Sequence, residues 1–234
     1  MPAPRERDAR ARRQLVDVCR RLYARGLIAG GEGNVSARLR PARLLVTPAG
    51  ASKGDLEPSD LLVVDDAGRT LRGAGRASTE IAMHLRIYRG RPDVGAVVHA
   101  HPPVATAFAV AGESFAEPVL PELIVAIGPV ALVPYATPGT ESLADRLEPF
   151  LRDHDAFLLS NHGVTTVGPT VEVAYARMES LEHSARILLA ARLLGRVRTL
   201  TAEQVRDLVA AREGARHPGP HGGGTPPGDG LETE

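Results

Sequence analysis

Apolar positions recur along this chain with two periods, and the changes between them mark out the elements. From residue 7 to 25, Leu15, Cys19, Leu22 and Tyr23 return at helical spacing among arginines, which predicts an amphipathic helix ended by Gly26. Residues 27–36 read as a loop, and Gly30, Gly31 and Gly33 let its backbone take positive φ or approach a ligand closely; a plain turn is the bland alternative. Val35 to Leu39 and Leu44 to Thr47 read as paired strands, and Leu61 to Val64 as a third. Ser78 to Tyr88 has the composition of a helix with cap-like hydroxyls at its start, and residues 90–92 stop it.

Val94 to His99 predicts a central strand, after which Pro102 and Pro103 open a small-residue helix to about Val110. Val130 to Val133 is a further strand and Glu141 to Leu151 a helix. Ala156 to Leu159 is short and wholly apolar, the profile of a buried strand ending at the functional loop 160–163. Thr170 to Leu194 predicts a long helix and Thr201 to Arg212 a short one. Strands and helices mix without strict βαβ alternation, and no GxGxxG follows a strand, which argues against a dinucleotide-binding fold. Residues 1–213 are expected to form one domain, and 214–234, rich in Gly and Pro, a disordered tail.

Composition narrows the partners. Twenty-eight basic residues balance twenty-eight acidic ones, so no net field favours nucleic acid or an anionic membrane. No run approaches the roughly 18 apolar residues that a membrane span requires, and the N-terminus has no apolar signal core, so a cytoplasmic protein is expected. Cys19 is the single cysteine, placed for packing, and Lys53 the single lysine, so any lysine-dependent chemistry falls to that position.

The candidate chemistry centres on His99-Ala100-His101. In an extended strand, side chains at i and i+2 leave the same face, so these imidazoles can hold one metal ion together. His162, in Asn-His-Gly at the end of an apolar strand, offers a third ligand; separately hydrogen-bonded histidines are the bland alternative. Glu80 is either a first-turn Glu stabilising its helix or a metal-proximal general base. His84, four residues on, is read as structural, His154 and His183 as surface or packing residues, and His217 and His221 as parts of the tail.

Taken together, GLIAGGEGNVSARL, LLVTPAG, ASTE, VVHAHPP, VPYATPGT and LLSNHGV, in that order from Leu22 to about Leu194, resemble the class II aldolase/adducin family. The resemblance implies a single three-layer αβα domain of the α/β class, with a central, largely antiparallel sheet flanked by helices. It also implies a homotetramer with active sites at subunit interfaces. By motif, His99, His101 and His162 resemble the ligands of a zinc or other divalent ion. Glu80 resembles the carboxylate that coordinates the free metal and acts as acid/base. Asn34, Gly50, Ser78 and Thr79 resemble the positions holding a substrate phosphate.

The implied reaction is retro-aldol cleavage of a small ketose 1-phosphate, similar to L-fuculose 1-phosphate, to dihydroxyacetone phosphate and an aldehyde. The pattern departs from that aldolase at Ala49, which removes one hydroxyl donor from the second phosphate loop, and at Glu122, which stands where a tyrosine is expected. No tyrosine follows Tyr175. Pentulose-phosphate 4-epimerisation, decarboxylation and dehydration are alternatives on the same scaffold. Retention of Glu80 and the three histidines argues against a non-catalytic adducin-like scaffold. A Schiff-base aldolase would need Lys53, whose loop setting beside Gly54 is expected to offer little desolvation.

Overall fold

The computed structural model describes residues 4–40, 42–115 and 117–216. Its helices are α1 (Pro4–Ala24), α2 (Ile81–Gly90), α3 (Pro103–Ala111), α4 (Glu141–Leu147), α5 (Val171–Leu193) and α6 (Ala202–Arg216). Its strands are β1 (Asn34–Arg40), β2 (Arg43–Val46), β3 (Leu62–Asp65), β4 (Thr70–Arg72), β5 (Ala96–Ala100), β6 (Val130–Val133), β7 (Ala156–Leu159) and β8 (Gly163–Gly168).

All the strands join one sheet in the order β4-β3-β2-β1-β5-β8-β7-β6. Every neighbouring pair is antiparallel except β6 and β7. The pleat sorts each strand's side chains between two cores. On β5, Ala96, Val98 and Ala100 join the core beneath α1, α3 and α5, while Val97 joins the core beneath α2 and α4. On β7, Leu158 and Phe157 divide in the same way, and each is fully buried, worth about 1.5–3 kcal/mol. A sheet buried on both faces explains why its central strands read as continuous apolar runs.

Several elements differ from the sequence reading, β4 among them, whose residues that reading assigns to no element. The predicted helix at Ser78 begins only at Ile81, with Glu80 at the N-cap making no side-chain cap bond. Leu123–Ile127, assigned to no element beforehand, forms a π-helical turn. Gly163–Gly168, read only as far as a loop, is β8, which fills the sheet between β5 and β7. Its Val164-Thr165-Thr166-Val167 run between glycines carries the β-branched signal of a strand. Helix α6 runs to Arg216, into the stretch expected as tail; residues 217–234, with His217 and His221, lie outside the described residues. Among the described residues no helix is long and apolar enough to cross a membrane.

Candidate metal centre

The centre sits where β5 ends between β1 and β8. His99, the residue before β5's last, is fully buried, and its register partners are Asn34 on β1 and Thr165 on β8. His101 follows just past the strand. The β7–β8 hairpin pairs Leu159 with Gly163, so its tight connection throws His162 to the same end of the sheet. Asn161 takes φ 56° there, a left-handed conformation that Asn tolerates well. The three imidazoles stand with ring centroids 4.8–5.2 Å apart, and their ligand nitrogens lie within 4.8 Å of one another.

Hydrogen bonds fix which nitrogens face inward. His99 Nδ1 contacts the Val164 carbonyl at 3.0 Å; a carbonyl only accepts, so Nδ1 carries the proton and Nε2 is bare. His101 Nδ1 contacts Glu32 Oε2 at 3.2 Å and donates likewise, leaving its own Nε2 bare. These two bare Nε2 atoms face each other at 3.3 Å. Glu80 joins them from the start of α2, with Oε2 3.4 Å from His99 Nε2 and Oε1 3.2 Å from His162 Nε2. Ligand atoms of a tetrahedral ion with bonds of about 2.0–2.1 Å stand about 3.3–3.4 Å apart, which these separations match.

Opposed lone pairs repel unless a cation lies between them, and Glu80 Oε1 is buried without a hydrogen-bond partner among the described residues. The donor set therefore fits a divalent ion. Burial works against ionisation of Glu80, yet His99, His162 and the Asn34 amide hold its carboxyl well below the usual carboxylate range. Burial pushes His99 down to about 3, so that ring is neutral at pH 7, and there the anion is stabilised by the Asn34 amide together with the His162 contact.

Of the other predicted site residues, Asn34 and Ser78 hydrogen-bond to Glu80. Asn34 Nδ2 donates to Glu80 Oε2 at 2.7 Å and to Ser78 Oγ at 3.2 Å. Gly50 takes φ 72°, packs against Gly31 of the glycine loop, and neighbours the Pro48–Ala77 bridge leading to Ser78. Thr79 lies against Gly139, and Glu122 is exposed at the start of the π-helical turn.

Lys53 corrects an expectation, since it is 1% exposed rather than poorly desolvated. Burial pushes its ammonium's pKa down, and Nζ donates to Gly31 O at 3.1 Å and Ala51 O at 2.7 Å. It ties the two glycine loops together from within, its donors committed to their carbonyls, whereas a Schiff-base nucleophile needs an amine that substrate can reach.

Glu32, His84 and Glu182 were missed as contributors to the site. Glu182, buried on α5, accepts from the backbone N–H groups of Val104 and Ala105 and anchors the turn after His101. The four-residue spacing from Glu80 already puts His84 on that helix face, where it is read as structural, whereas Glu182 becomes visible only in three dimensions.

The profile described as "Class II Aldolase and Adducin N-terminal domain" matches residues 13–189. The chain belongs to the class II aldolase and adducin family. Within the family it is similar to the 3-oxo-tetronate 4-phosphate decarboxylase of Haemophilus influenzae, 35% identical over 206 residues covering 86% of this chain and 97% of that protein. It is similar also to the L-fuculose phosphate aldolase of Methanococcus vannielii, 35% identical over 175 residues, 75% of this chain and 93% of that one. Among solved structures, YgbL of Escherichia coli superposes with TM-score 0.80 at 33% identity, covering 86% of this chain and 99% of its own. The class II aldolase fold, a mixed sheet between helices, is thus common to this chain and its relatives.

Proposed function

We propose that this protein is a divalent-metal-dependent lyase that decarboxylates a 3-oxo sugar-acid phosphate. The observation that carries the lyase reading is the buried Glu80 carboxylate against His99 and His162, in a three-histidine cluster that His101 completes. The likeness to the decarboxylases, over 86% of the chain, supports the choice of bond to break.

When bound by the three histidines, a divalent ion, zinc being the family's expectation, would stabilise negative charge on the substrate's carbonyl and neighbouring hydroxyl oxygens. In a 3-oxo-tetronate 4-phosphate the C1–C2 bond breaks, C1 leaves as carbon dioxide, and the electron pair stays as an enediol anion over C2 and C3. Glu80, having taken a proton from water, delivers it to C2, giving dihydroxyacetone phosphate with one proton consumed overall. Asn34 orients that carboxylate, and the Gly31 and Gly50 loops with Ser78 and Thr79 would hold the phosphate.

Cleavage of a ketose 1-phosphate such as L-fuculose 1-phosphate is the second reading, supported by the aldolase relatives. That reaction must also take a proton from the carbinol oxygen that becomes the aldehyde, and the tyrosines expected for the aldehyde side are absent, with Glu122 exposed in place of one. Carbon dioxide leaves without such a proton, which favours decarboxylation. We place the active site in an assembly, a homotetramer by family likeness, in a cytoplasmic setting.

The test supplies a 3-oxo-tetronate 4-phosphate and L-fuculose 1-phosphate to metal-loaded and chelator-stripped protein, and reads carbon dioxide, aldehyde and dihydroxyacetone phosphate. Equal carbon dioxide and dihydroxyacetone phosphate, lost on stripping and restored by metal, is the expected result. Aldehyde in place of carbon dioxide would establish the aldolase. Turnover surviving complete metal removal would overturn both readings.

A further inference from the structure

Behind Glu80 and the Asn34 amide that orients it, Tyr88, Ser36 and His84 form a buried chain of polar side chains with no part in the reaction steps above. Tyr88, Ser36, His84 and Asn34 are 6%, 0%, 2% and 6% exposed. Tyr88 Oη meets Ser36 Oγ at 2.9 Å, Ser36 Oγ meets His84 Nδ1 at 2.7 Å, and His84 Nε2 meets Asn34 Oδ1 at 2.5 Å. A cavity of about 10 Å³ lined by Asn34, Ser36, Ser78 and His84 is at the lower limit for one water, so the contacts close directly from side chain to side chain.

The direction of every proton in the chain is forced from one end. The Glu80 carboxylate only accepts, so Asn34 presents its NH₂ to it and keeps Oδ1 for His84. His84 must then carry its proton on Nε2, which leaves Nδ1 bare to accept from Ser36. The Ser36 hydrogen is thereby used, so Tyr88 donates to Ser36. Were His84 the other tautomer, Nε2 would face Oδ1 lone pair to lone pair. Asn34 would flip, and its oxygen would be turned toward the carboxylate.

We infer that His84 is a positioning residue for Glu80: as the Nε2–H tautomer, set by Ser36 and Tyr88, it locks the Asn34 amide with its NH₂ on the carboxylate. The catalytic role of Glu80 rests on the lyase reading above; the lock itself does not. Among the described residues His84 makes no hydrogen bond to Glu80 or to the histidine cluster, and its hydrogen-bonded route to Glu80 runs through Asn34.

The first measurement is made on the full metal-free chain, by 15N NMR of the His84 ring. A single Nε2–H tautomer is expected, and an Nδ1–H ring would overturn the inference whatever the reaction proves to be. A wrong substrate class leaves this result intact. It also needs no variant, so it holds even where a substitution fails to fold.

The second measurement is a double-mutant cycle in the metal-loaded enzyme. His84→Leu is expected to lower kcat about 10–100-fold, with KM and bound metal little changed, and His84→Gln to recover most of the loss by donating to Asn34 Oδ1. In an Asn34→Ala background His84→Leu is expected to cost little more, because its hydrogen-bonded route to Glu80 is gone. Additive losses, or a His84→Gln no better than His84→Leu, would show general destabilisation instead.

Discussion

The imidazole of His101 lies directly against the backbone of Gly163. A Cβ built on Gly163 would overlap His101 Cδ2 and stand 2.8 Å from the Ala100 carbonyl. Glycine is required here by this close approach, which lets β8 run beside β5 while the ring keeps its place between Glu32 and His99.

Gly163→Ala is therefore expected to push His101 out of the cluster. Metal affinity should fall at least 10-fold with little change in helical content, because the hairpin can still form. Titration with zinc in a competing chelator checks it, and unchanged affinity would show that the ring can shift without cost.

His101→Ala should lose bound metal, whereas Glu80→Gln should keep much of it and lose turnover by about 10²–10⁴-fold. Elemental analysis alongside kcat separates the two effects. Wild-type turnover in Glu80→Gln would remove its acid/base role.

Metal-free protein should lose stability as the solution is acidified. His84 and His99 are pushed by burial to about 4 and about 3, below their ordinary 6.5. With folded values below unfolded ones, the unfolded chain binds more protons across that window. Their contribution is complete above about pH 6.5 and disappears as pH falls toward about 3, on the order of a few kcal/mol. Urea midpoints measured at about pH 7.5 and about pH 4.5 check this, and equal midpoints would contradict neutral burial of the two rings.

Lys53→Met should destabilise the protein by about 1–3 kcal/mol, since the Gly31 and Ala51 carbonyls lose their buried donor. Borohydride with any ketose phosphate should trap nothing on the wild-type chain. A trapped adduct at Lys53 would mean that the glycine loops open far enough to admit substrate.

Glu182→Ala should lower the thermal midpoint and loosen the α3 start, because two backbone N–H groups at Val104 and Ala105 lose a charged acceptor. Hydrogen exchange at those two amides is the direct readout, with faster exchange expected.

By itself the sequence determined the elements whose patterns are periodic and local. The arginine-rich α1, the apolar β5 and β7, and the long α5 were legible because burial of one face or both writes itself into the order of residues. The His-x-His pair was legible too, since an extended backbone brings side chains two apart to one face. The family motifs extended that reading to His162 and Glu80.

Tertiary structure decided what depends on contacts distant along the chain. β8 became a central strand only because β5 and β7 leave room for it between them, and its Gly163 is explained by a ring 62 positions away in the chain, at His101. The loop setting of Lys53 suggested exposure, but the folding of two glycine loops over it made it one of the most buried side chains. His84, read as structural from its helix position, gained a defined protonation because Asn34 and Ser36 on β1 face it across the core. Hydrogen-bond direction is fixed by which partners meet, and no periodicity in the sequence records that meeting.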